Sequence, residues 1–245
     1  DMGIAFGDYN NDGFFDMYIT DVLMNPLLTN KGDNTFIDLA VEQGVQSGGW
    51  SWDTVFSDFD LDGDEDLLVL NGFEYKGHNT DKFIDKSESS NLGALTISVG
   101  AGVFDFDNDG DEDIFITNAD RPSFFYENSI TDFTNPTKDL HWLKVNLEGT
   151  TSNRDAIGTK LVLKTNKSTF SRYYTGKGFL SQNLKSVHFG LADATQIQEL
   201  KITWPSGAIE TYTNLPIDKT INFIEGSNYT TPTNQPSIKT YGCMD

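Results

Sequence analysis

The sequence predicts an all-β protein, because short apolar runs recur at regular intervals and Gly and Asp interrupt every candidate helix. The chain of 245 residues includes 18 Phe, 9 Tyr and 4 Trp, so it can form packed cores despite a net charge of -20. A nine-residue acidic motif occurs three times, and its copies begin 50 and then 47 residues apart. Repeats of this length with several short strands per unit are typical of propellers or solenoids. We therefore expect an all-β repeat architecture, either a propeller or a solenoid, followed by a small β domain.

Each copy of the motif fits the pattern D-x-[DN]-x-D-G-x-x-D and leads directly into an apolar run. The copies occupy residues 8–16, 58–66 and 105–113. The apolar runs, which predict short buried strands, lie at residues 17–19, 67–70 and 114–116. A second, weaker repeated segment, which we call the echo, follows the first and third copies at residues 27–30 and 125–128. It predicts one more strand in those units. The middle unit has no clean copy of this echo.

The motifs concentrate negative charge, because they hold 13 Asp and 2 Glu of the 37 acidic residues. Two carboxylates about 4 Å apart repel by roughly 4 kcal/mol at an effective dielectric constant of about 20, so crowded loops need protons or a cation. Oxygen ligands at alternate positions, without His or Cys, are typical of Ca²⁺ sites. These loops are not EF-hands, because position 12 is apolar in each. The alternative interpretation is that they are acidic, solvated turns.

We therefore expect about three Ca²⁺ ions, each bound by positions 1, 3, 5, 7 and 9 of one loop. In the first loop Asn10 replaces a carboxylate and Phe14 offers only its carbonyl, so this site should bind most weakly. The predicted ligands are Asp8, Asn10, Asp12, Phe14, Asp16, Asp58, Asp60, Asp62, Asp64, Asp66, Asp105, Asp107, Asp109, Asp111 and Asp113.

Charge divides the chain into three predicted parts. Residues 1–137, which hold the repeats, carry a net charge of -23, residues 138–226 carry +3, and the polar tail 227–245 is neutral. The boundary near Asn135 and Pro136 follows a polar run and is typical of a linker. The second part is predicted to be a small β domain, with strands near Leu143–Leu147, Lys160–Lys164 and Glu199–Trp204.

Several function classes are disfavoured by composition and motif. The acidity argues against nucleic-acid binding, and no apolar stretch approaches the roughly 20 residues of a membrane-spanning helix, so we expect no membrane insertion. The single Cys243 cannot form an internal disulfide. His78, His141 and His188 lack metal-binding spacing, and His188 has the alternation of a structural strand residue. Without a nucleophile motif we expect no enzyme, although abundant carboxylates leave a glycan-active or biosynthetic enzyme as the alternative.

The repeats resemble the FG-GAP or VCBS repeats of integrin α-type β-propellers over residues 1 to about 130, and Asn30–Val45 is similar to the inter-blade segment of that family. The second part resembles the ASPIC/UnbV domain in five ordered blocks, His141–Leu143, Ser152–Thr159, Gly178–Gln182, Val187–Leu191 and Ile202–Gly207. The pairing resembles the cartilage acidic protein family and its bacterial homologues. This resemblance implies a partial β-propeller of FG-GAP-type blades with calcium loops, followed by a small β domain. It also implies a secreted or cell-envelope calcium-binding protein that takes part in adhesion or matrix interaction.

The expected function is that of an extracellular interaction or adhesion module, in which calcium rigidifies the blades and a protein or glycan is the partner. Asn153, Arg154 and Asp155 are candidate partner-binding residues, and the alternative is a capped turn in which Arg154 pairs with a carboxylate. Trp50 and Trp52 are candidates for sugar stacking or for packing between blades.

Two further expectations concern the length of the protein and its glycosylation. Propellers usually need about 4 to 8 blades, so we expect the three repeats to belong to a longer protein. Asn166 and Asn228 begin glycosylation sequons, which matter only if the source glycosylates secreted proteins.

Overall fold

The computed structural model describes residues 2–71, 83–93, 96–130, 140–176, 180 and 186–232. Within them the chain forms sixteen β-strands and one short helix, which confirms the predicted all-β class. In chain order the elements are β1 (Ile4–Gly7), β2 (Asp16–Ile19), β3 (Leu27–Asn30), β4 (Phe36–Asp38), α1 (Ala40–Gln43), β5 (Ser51–Ser57), β6 (Asp66–Asn71), β7 (Ser98–Phe104), β8 (Asp113–Asn118), β9 (Phe124–Tyr126), β10 (His141–Glu148), β11 (Thr159–Thr165), β12 (Thr169–Tyr174), β13 (Ser186–Ala192), β14 (Ile197–Thr203), β15 (Ile209–Thr213) and β16 (Lys219–Ile224).

Each acidic motif connects two antiparallel strands of one sheet. The first lies between β1 and β2, the second between β5 and β6, and the third between β7 and β8. The apolar runs after the motifs therefore form strands, as predicted. The echo after the first and third motifs forms β3 and β9, which pair with β2 and β8.

The three repeat sheets lie next to one another through their first strands. β1 packs beside β5, and β5 packs beside β7. Hydrogen bonds also join neighbouring sheets. Thr20 Oγ1 of the first repeat donates to the carbonyl of Trp52 in the second at 3.2 Å. The amide of Ala101 in the third repeat donates to Asp53 Oδ2 in the second at 3.3 Å. In the described part of the chain these sheets are open and do not close into a ring.

Residues 140–176 and 186–232 form two sheets around one shared core, and we call them the second β unit. β13, β10 and β16 make one sheet, in which β10 and β16 run parallel, and β12, β11, β14 and β15 make the other. β10, β11 and β14 confirm the three strands predicted here. Each fully buried Leu, Ile or Phe contributes about 1.5–3 kcal/mol, so this core stabilises the unit strongly. Such residues from both sheets are Leu143, Leu163, Phe189, Ile202 and Phe223.

Ordered contacts continue past residue 226, where the polar tail was predicted to begin. Thr230 forms an antiparallel bridge with Asn222, and the ring of Tyr229 packs against those of Tyr212 and Phe223. The first residues of the tail therefore pack on the second β unit instead of forming a linker, because Tyr229 meets an aromatic surface there.

Several predictions concern residues outside the described ranges. They are the boundary at Asn135 and Pro136, the Gly178–Gln182 block except for Leu180, and the residues His78 and Cys243. Where the structure does describe the chain, its helix is far too short to cross a membrane.

Candidate metal centres

The three acidic loops share one backbone conformation, which sets the direction of their side chains. Positions 4 and 6 both have positive φ in every loop. The φ values are 54° at Asn11, 59° at Leu61 and 62° at Asn108 for position 4, and 87° at Gly13, 96° at Gly63 and 105° at Gly110 for position 6. Gly and Asn adopt such angles readily, whereas Leu61 does so at a cost that its complete burial offsets. The two residues with positive φ reverse the direction of the backbone twice within nine residues, so each loop folds back around its own carboxylates.

The second loop brings three carboxylates together. Asp58, Asp60 and Asp66 each place one oxygen within 4.8 Å of the others. Asp58 is 2% exposed, and its Oδ2 accepts the amide hydrogen of Gly63 at 2.9 Å. Its Oδ1 is buried and has no hydrogen-bond partner among the described residues. Asp66 Oδ2 accepts the amide hydrogen of Phe59 at 3.0 Å, which fixes the last carboxylate against the start of the loop.

The third loop brings together Asp105, Asp107 and Asp109, whose oxygens also lie within 4.8 Å of one another. This triad comes from positions 1, 3 and 5 of the motif, whereas the triad of the second loop comes from positions 1, 3 and 9. Asp105 Oδ1 is buried and, within the described part of the chain, lacks a hydrogen-bond partner. Asp113 accepts amide hydrogens from Phe106 at 2.7 Å and from Asn128 at 2.8 Å. The second of these bonds joins the loop to the end of the strand formed by the echo.

The first loop is less acidic. Asp8 accepts the amide hydrogens of Asp12 and Gly13, both at 2.9 Å, and Asn10 occupies the third position. Asp16 Oδ1 accepts the amide hydrogen of Asn30 at 2.8 Å, the equivalent of the bond in the third loop, while its Oδ2 is buried without a partner among the described residues. In the residues the structure describes, triads of carboxylates lie in the second and third loops.

The remaining predicted ligands are placed less uniformly. Asp62 Oδ1 accepts the amide hydrogen of Asp64 at 2.9 Å, so it braces its own loop. The carboxylate of Asp64 accepts a hydrogen bond from Asn11 of the first loop at 2.5 Å, so it contacts the neighbouring repeat. Phe14 is 45% exposed, and Asp111 is fully buried.

Position 8 links one loop to the preceding repeat, a role that the motif did not reveal. Glu65 Oε2 accepts the amide hydrogen of Asp8 at 2.7 Å, and Glu112 accepts a hydrogen bond from Ser57. The sequence signal that could have indicated this link was a Glu at position 8 of both the second and the third loops. Phe15 takes this position in the first loop.

Burial raises the pKa of several of these carboxylates, because the charged form loses its hydration. The pKa of Asp58 is raised to about 8, although the nearby Arg172 opposes the effect of burial. Burial likewise raises the pKa of Asp16 to about 7, and the pKa values of Asp66 and Asp113 to about 6. A cation at each loop would favour the charged forms and reverse these shifts.

The donor set of the loops fits Ca²⁺. It consists of carboxylate, amide and carbonyl oxygens, which are hard ligands, and it places two partnerless carboxylate oxygens beside the triads. His188 donates from its Nε2 to the carbonyl of Gly110 in the third loop at 2.8 Å. It is a buried strand residue, as predicted.

The second β unit covers the second and third loops. The amide of Ala192 donates to the carbonyl of Leu61 at 2.9 Å, and His188 contacts Gly110 as described. Trp142 packs so closely on Gly110 that a Cβ at this glycine would overlap the indole. The sequence could not reveal these contacts, because they join residues far apart in the chain.

One basic side chain of the second β unit also reaches each loop. The contacts are Lys160 Nζ to the carbonyl of Gly13 at 3.2 Å, Arg172 Nε to Glu65 Oε1 at 3.2 Å, and Lys144 Nζ to Asp105 Oδ2 at 2.6 Å. These contacts partly neutralise the acidic loops.

The predicted partner-binding residues form a local turn. Asn153 Oδ1 accepts the amide hydrogen of Ile157 at 2.9 Å, and its Nδ2 donates to the carbonyl of Ile157 at 2.8 Å. Arg154 lies 3.6 Å from Glu148 with both side chains exposed, and Asp155 belongs to the same turn. These contacts favour the alternative of a capped turn with an Arg–carboxylate pair.

Trp50 and Trp52 stack on each other, with ring centroids 5.7 Å apart and an interplanar angle of 7°. Trp50 is 38% exposed. The amide of Ser51 donates to the carbonyl of Asp21 at 3.1 Å, which brings Trp50 beside the loop between β2 and β3. The pair therefore lies at the junction of the first two repeat sheets.

Comparison with known proteins bears on the second β unit. Residues 149–230, which are 82 of the 245 residues, match the family described as ASPIC and UnbV. The match includes the predicted blocks from Ser152–Thr159 to Ile202–Gly207, so the resemblance of residues 149–230 is confirmed. The His141–Leu143 block precedes the match and stays a prediction. No curated protein matches the chain. The resemblance of the repeats to FG-GAP or VCBS repeats stays a prediction.

Proposed function

We propose that this chain is a calcium-binding interaction module, in which ions at the three loops stabilise propeller-type repeats. The observation that carries the proposal is the convergence of carboxylates in the second and third loops, together with buried oxygens of Asp16, Asp58 and Asp105 that lack partners among the described residues. A buried carboxylate oxygen without a partner is costly, and a hard cation would supply the interaction. The adjacent hairpin sheets support the propeller part, because blades are small antiparallel sheets repeated side by side.

The chain itself would orient the ligands before an ion binds. The amide of Gly63 fixes one oxygen of Asp58 and leaves the other free, and the amide of Phe59 fixes Asp66. In the third loop the amides of Phe106 and Asn128 fix Asp113 in the same way. Ca²⁺ would supply positive charge at each loop and can coordinate six to eight oxygen ligands. Binding would then tie the loop to the strands on both sides of it.

Calcium titration of chelator-stripped protein tests the metal part. We expect about three equivalents with dissociation constants of about 10⁻⁴ to 10⁻³ M, typical of extracellular modules. A tenfold excess over such a constant adds about 1.4 kcal/mol per site, so three sites should raise the melting temperature by about 10 °C. Calorimetry and thermal melting, repeated with Mg²⁺, measure both quantities.

A matched pair of variants assigns the binding to the loops. Asp58→Asn removes a charge at the second triad and should abolish about one equivalent, because a buried ligand of the ion is lost. Asp33→Asn removes an equal charge from an exposed turn residue that accepts a hydrogen bond from Thr35, and should leave the titration unchanged. Calcium binding that is absent, or equal in both variants, would reduce the loops to acidic turns.

The interaction part of the proposal concerns the end of the repeat sheets opposite the acidic loops. The β2–β3 loop there exposes Val22, Leu23 and Met24, with 44%, 75% and 64% of their surfaces accessible, and Trp50 lies beside it. Exposed apolar side chains in one loop favour contact with another macromolecule. The partner would be an extracellular protein or a glycan, and the protein would act outside the cytoplasm.

Binding of the purified protein to arrays of extracellular proteins and glycans tests this part. We expect a partner that binds in calcium, is released by chelator, and is weakened about tenfold or more by Leu23→Ser. Val41→Ser, which alters an exposed apolar residue of α1, is the matched control and should bind normally. Partner binding that is indifferent to chelator would contradict the coupling of calcium to interaction. A turnover on the same glycans would instead favour an enzyme.

A further inference from the structure

The third loop contacts a positively charged side chain of the protein, the ammonium group of Lys144. Lys144 Nζ lies 2.6 Å from Asp105 Oδ2 and 3.3 Å from Asn108 Oδ1. Both members of the ion pair are buried, with 9% of the Lys144 side chain and 1% of the Asp105 side chain exposed. Lys144 is part of β10 in the second β unit, so the contact joins that unit to the repeats.

The second loop is arranged differently at the same position. Asp58 Oδ2 accepts an amide hydrogen from Gly63, and the nearby Arg172 pairs with Glu65, which is not a predicted ligand. The other oxygen of the first carboxylate is buried in both loops and has no partner among the described residues. The two loops carry the same number of Asp residues. Arg172 lies near Asp58 but pairs with Glu65. Lys144, in contrast, pairs directly with Asp105, the first ligand of the third loop.

We propose that Lys144 competes with the metal ion at the third loop, so that cation binding there is coupled to the contact between the second β unit and the repeats. This inference rests on the calcium function proposed above. An ion bound by Asp105 Oδ1 would share one carboxylate with the ammonium group, and two cations at that separation repel each other in a buried site. The third loop should therefore bind metal more weakly than the second, although its charge is the same.

The coupling is reciprocal. If Lys144 lowers the affinity of the loop for metal by some factor, metal lowers the affinity of Lys144 for Asp105 by the same factor. Metal at the third loop would therefore loosen one contact of the second β unit. Metal at the second loop would weaken the pair of Arg172 and Glu65 less, because Glu65 is not a predicted ligand. In this way the second β unit would respond to the metal state of one particular loop.

Terbium luminescence measures binding at this loop specifically, because the indole of Trp142 packs on Gly110 at its centre. Tb³⁺ serves as a probe for Ca²⁺, and the emission that is lost in Trp142→Phe reports the third loop. We expect Lys144→Gln, which keeps a hydrogen-bond donor but removes the charge, to lower the Tb³⁺ dissociation constant of this loop about tenfold or more. Displacement of Tb³⁺ by Ca²⁺ should show the same change.

Two controls separate charge at this contact from charge in general. Lys144→Arg keeps the charge and should bind Tb³⁺ with nearly the wild-type constant. Lys160→Gln removes an equal charge that contacts the carbonyl of Gly13 in the first loop, and should change the constant of the third loop by less than about twofold because of screening. An unchanged constant in Lys144→Gln overturns the coupling. If the wild-type protein binds neither Tb³⁺ nor Ca²⁺, the proposed function fails instead.

A measurement on the wild-type protein covers the case in which Lys144→Gln does not fold. Amine-reactive labelling, located by mass spectrometry, should modify Lys144 several times faster in calcium than in chelator, because calcium weakens its contact with Asp105. Labelling of Lys160 should be the same in both conditions. Equal labelling of Lys144 with and without calcium, in protein that binds calcium, would overturn the inference.

Discussion

Glu65 and Arg172 form a buried ion pair between the second loop and β12. Their side chains are each 6% exposed, and Arg172 Nε lies 3.2 Å from Glu65 Oε1. Glu65 also accepts the amide hydrogen of Asp8, and Arg172 donates to the carbonyl of Ser171 at 3.0 Å. The burial of two charges is costly in itself, and these hydrogen bonds are what make the pair tolerable. The pair therefore joins two repeats and the second β unit at one point.

We predict that Arg172→Met destabilises the protein by about 3–5 kcal/mol, because it leaves the Glu65 carboxylate buried without a counterion. The double variant Arg172→Met/Glu65→Gln should recover a substantial part of this loss, because it removes the uncompensated charge. Urea unfolding in calcium-free buffer measures both. If the double variant is as unstable as the sum of the single variants, the two residues do not act as a pair.

At the scale of elements, one carboxylate of the second β unit joins two of its loops. Glu225 follows β16 and accepts amide hydrogens from Thr150, Thr151 and Ser152 at 2.7–2.9 Å, and its Oε1 accepts from the hydroxyl of Ser206 at 2.5 Å. Two of the blocks that resemble the ASPIC/UnbV domain, around Ser152 and Ser206, thus meet at this side chain. Sequence reasoning identified those blocks but missed Glu225, because a lone Glu after a strand looks like a solvated acid.

The hydrogen bonds to Glu225 also predict a pH dependence. Burial alone would raise its pKa, but the hydroxyl of Ser206 and the amides of Ser152 and Thr150 outweigh burial and lower the pKa from 4.5 to about 2. Because the folded pKa lies below the unfolded value, this contribution to stability is complete above about pH 4.5 and is lost as the pH falls towards 2.

We therefore expect Glu225→Gln to cost about 2 kcal/mol at pH 7, where charge-assisted bonds are lost, and progressively less below about pH 4.5. Urea unfolding of wild-type and variant protein at pH 7, 5 and 3 measures the difference. Glu199→Gln is a matched control, because Glu199 is an exposed residue of β14 in the same unit, and it should cost little at any of the three pH values. A cost of Glu225→Gln that is the same at all three pH values would contradict this account.

At the scale of the whole molecule, the sequence predicts local structure well and packing between distant parts poorly. The apolar runs and the echo predict β2, β3, β6, β8 and β9, because strand formation depends on nearby residues. The docking of the second β unit on the loops leaves no such trace, since His188 and Gly110 are 78 residues apart. The charge difference between the two parts was the available signal, because basic residues of one part contact acidic loops of the other.

This docking makes equivalent glycines unequal, and the difference can be measured. Gly13 and Gly110 both occupy position 6 with positive φ, but a Cβ at Gly13 has nothing within 4 Å, whereas a Cβ at Gly110 overlaps Trp142. We predict that Gly13→Ala costs about 1–2 kcal/mol from backbone strain, while Gly110→Ala costs about 2–4 kcal/mol because overpacking adds to the same strain. Urea unfolding of both variants in chelator, where metal binding cannot contribute, gives the comparison.

The companion variant Trp142→Ala separates the two contributions at Gly110. With the indole removed, Gly110→Ala should cost no more than Gly13→Ala does, because only the strain of a positive φ is left. Trp142→Ala itself should destabilise the protein, since its buried ring packs against Gly110 of the third loop. Equal costs for the two glycine substitutions in the presence of Trp142 would mean that the second β unit does not rest on the third loop in solution. The coupling between metal binding and Lys144 would then lose its structural basis, because Trp142 and Lys144 belong to the same strand.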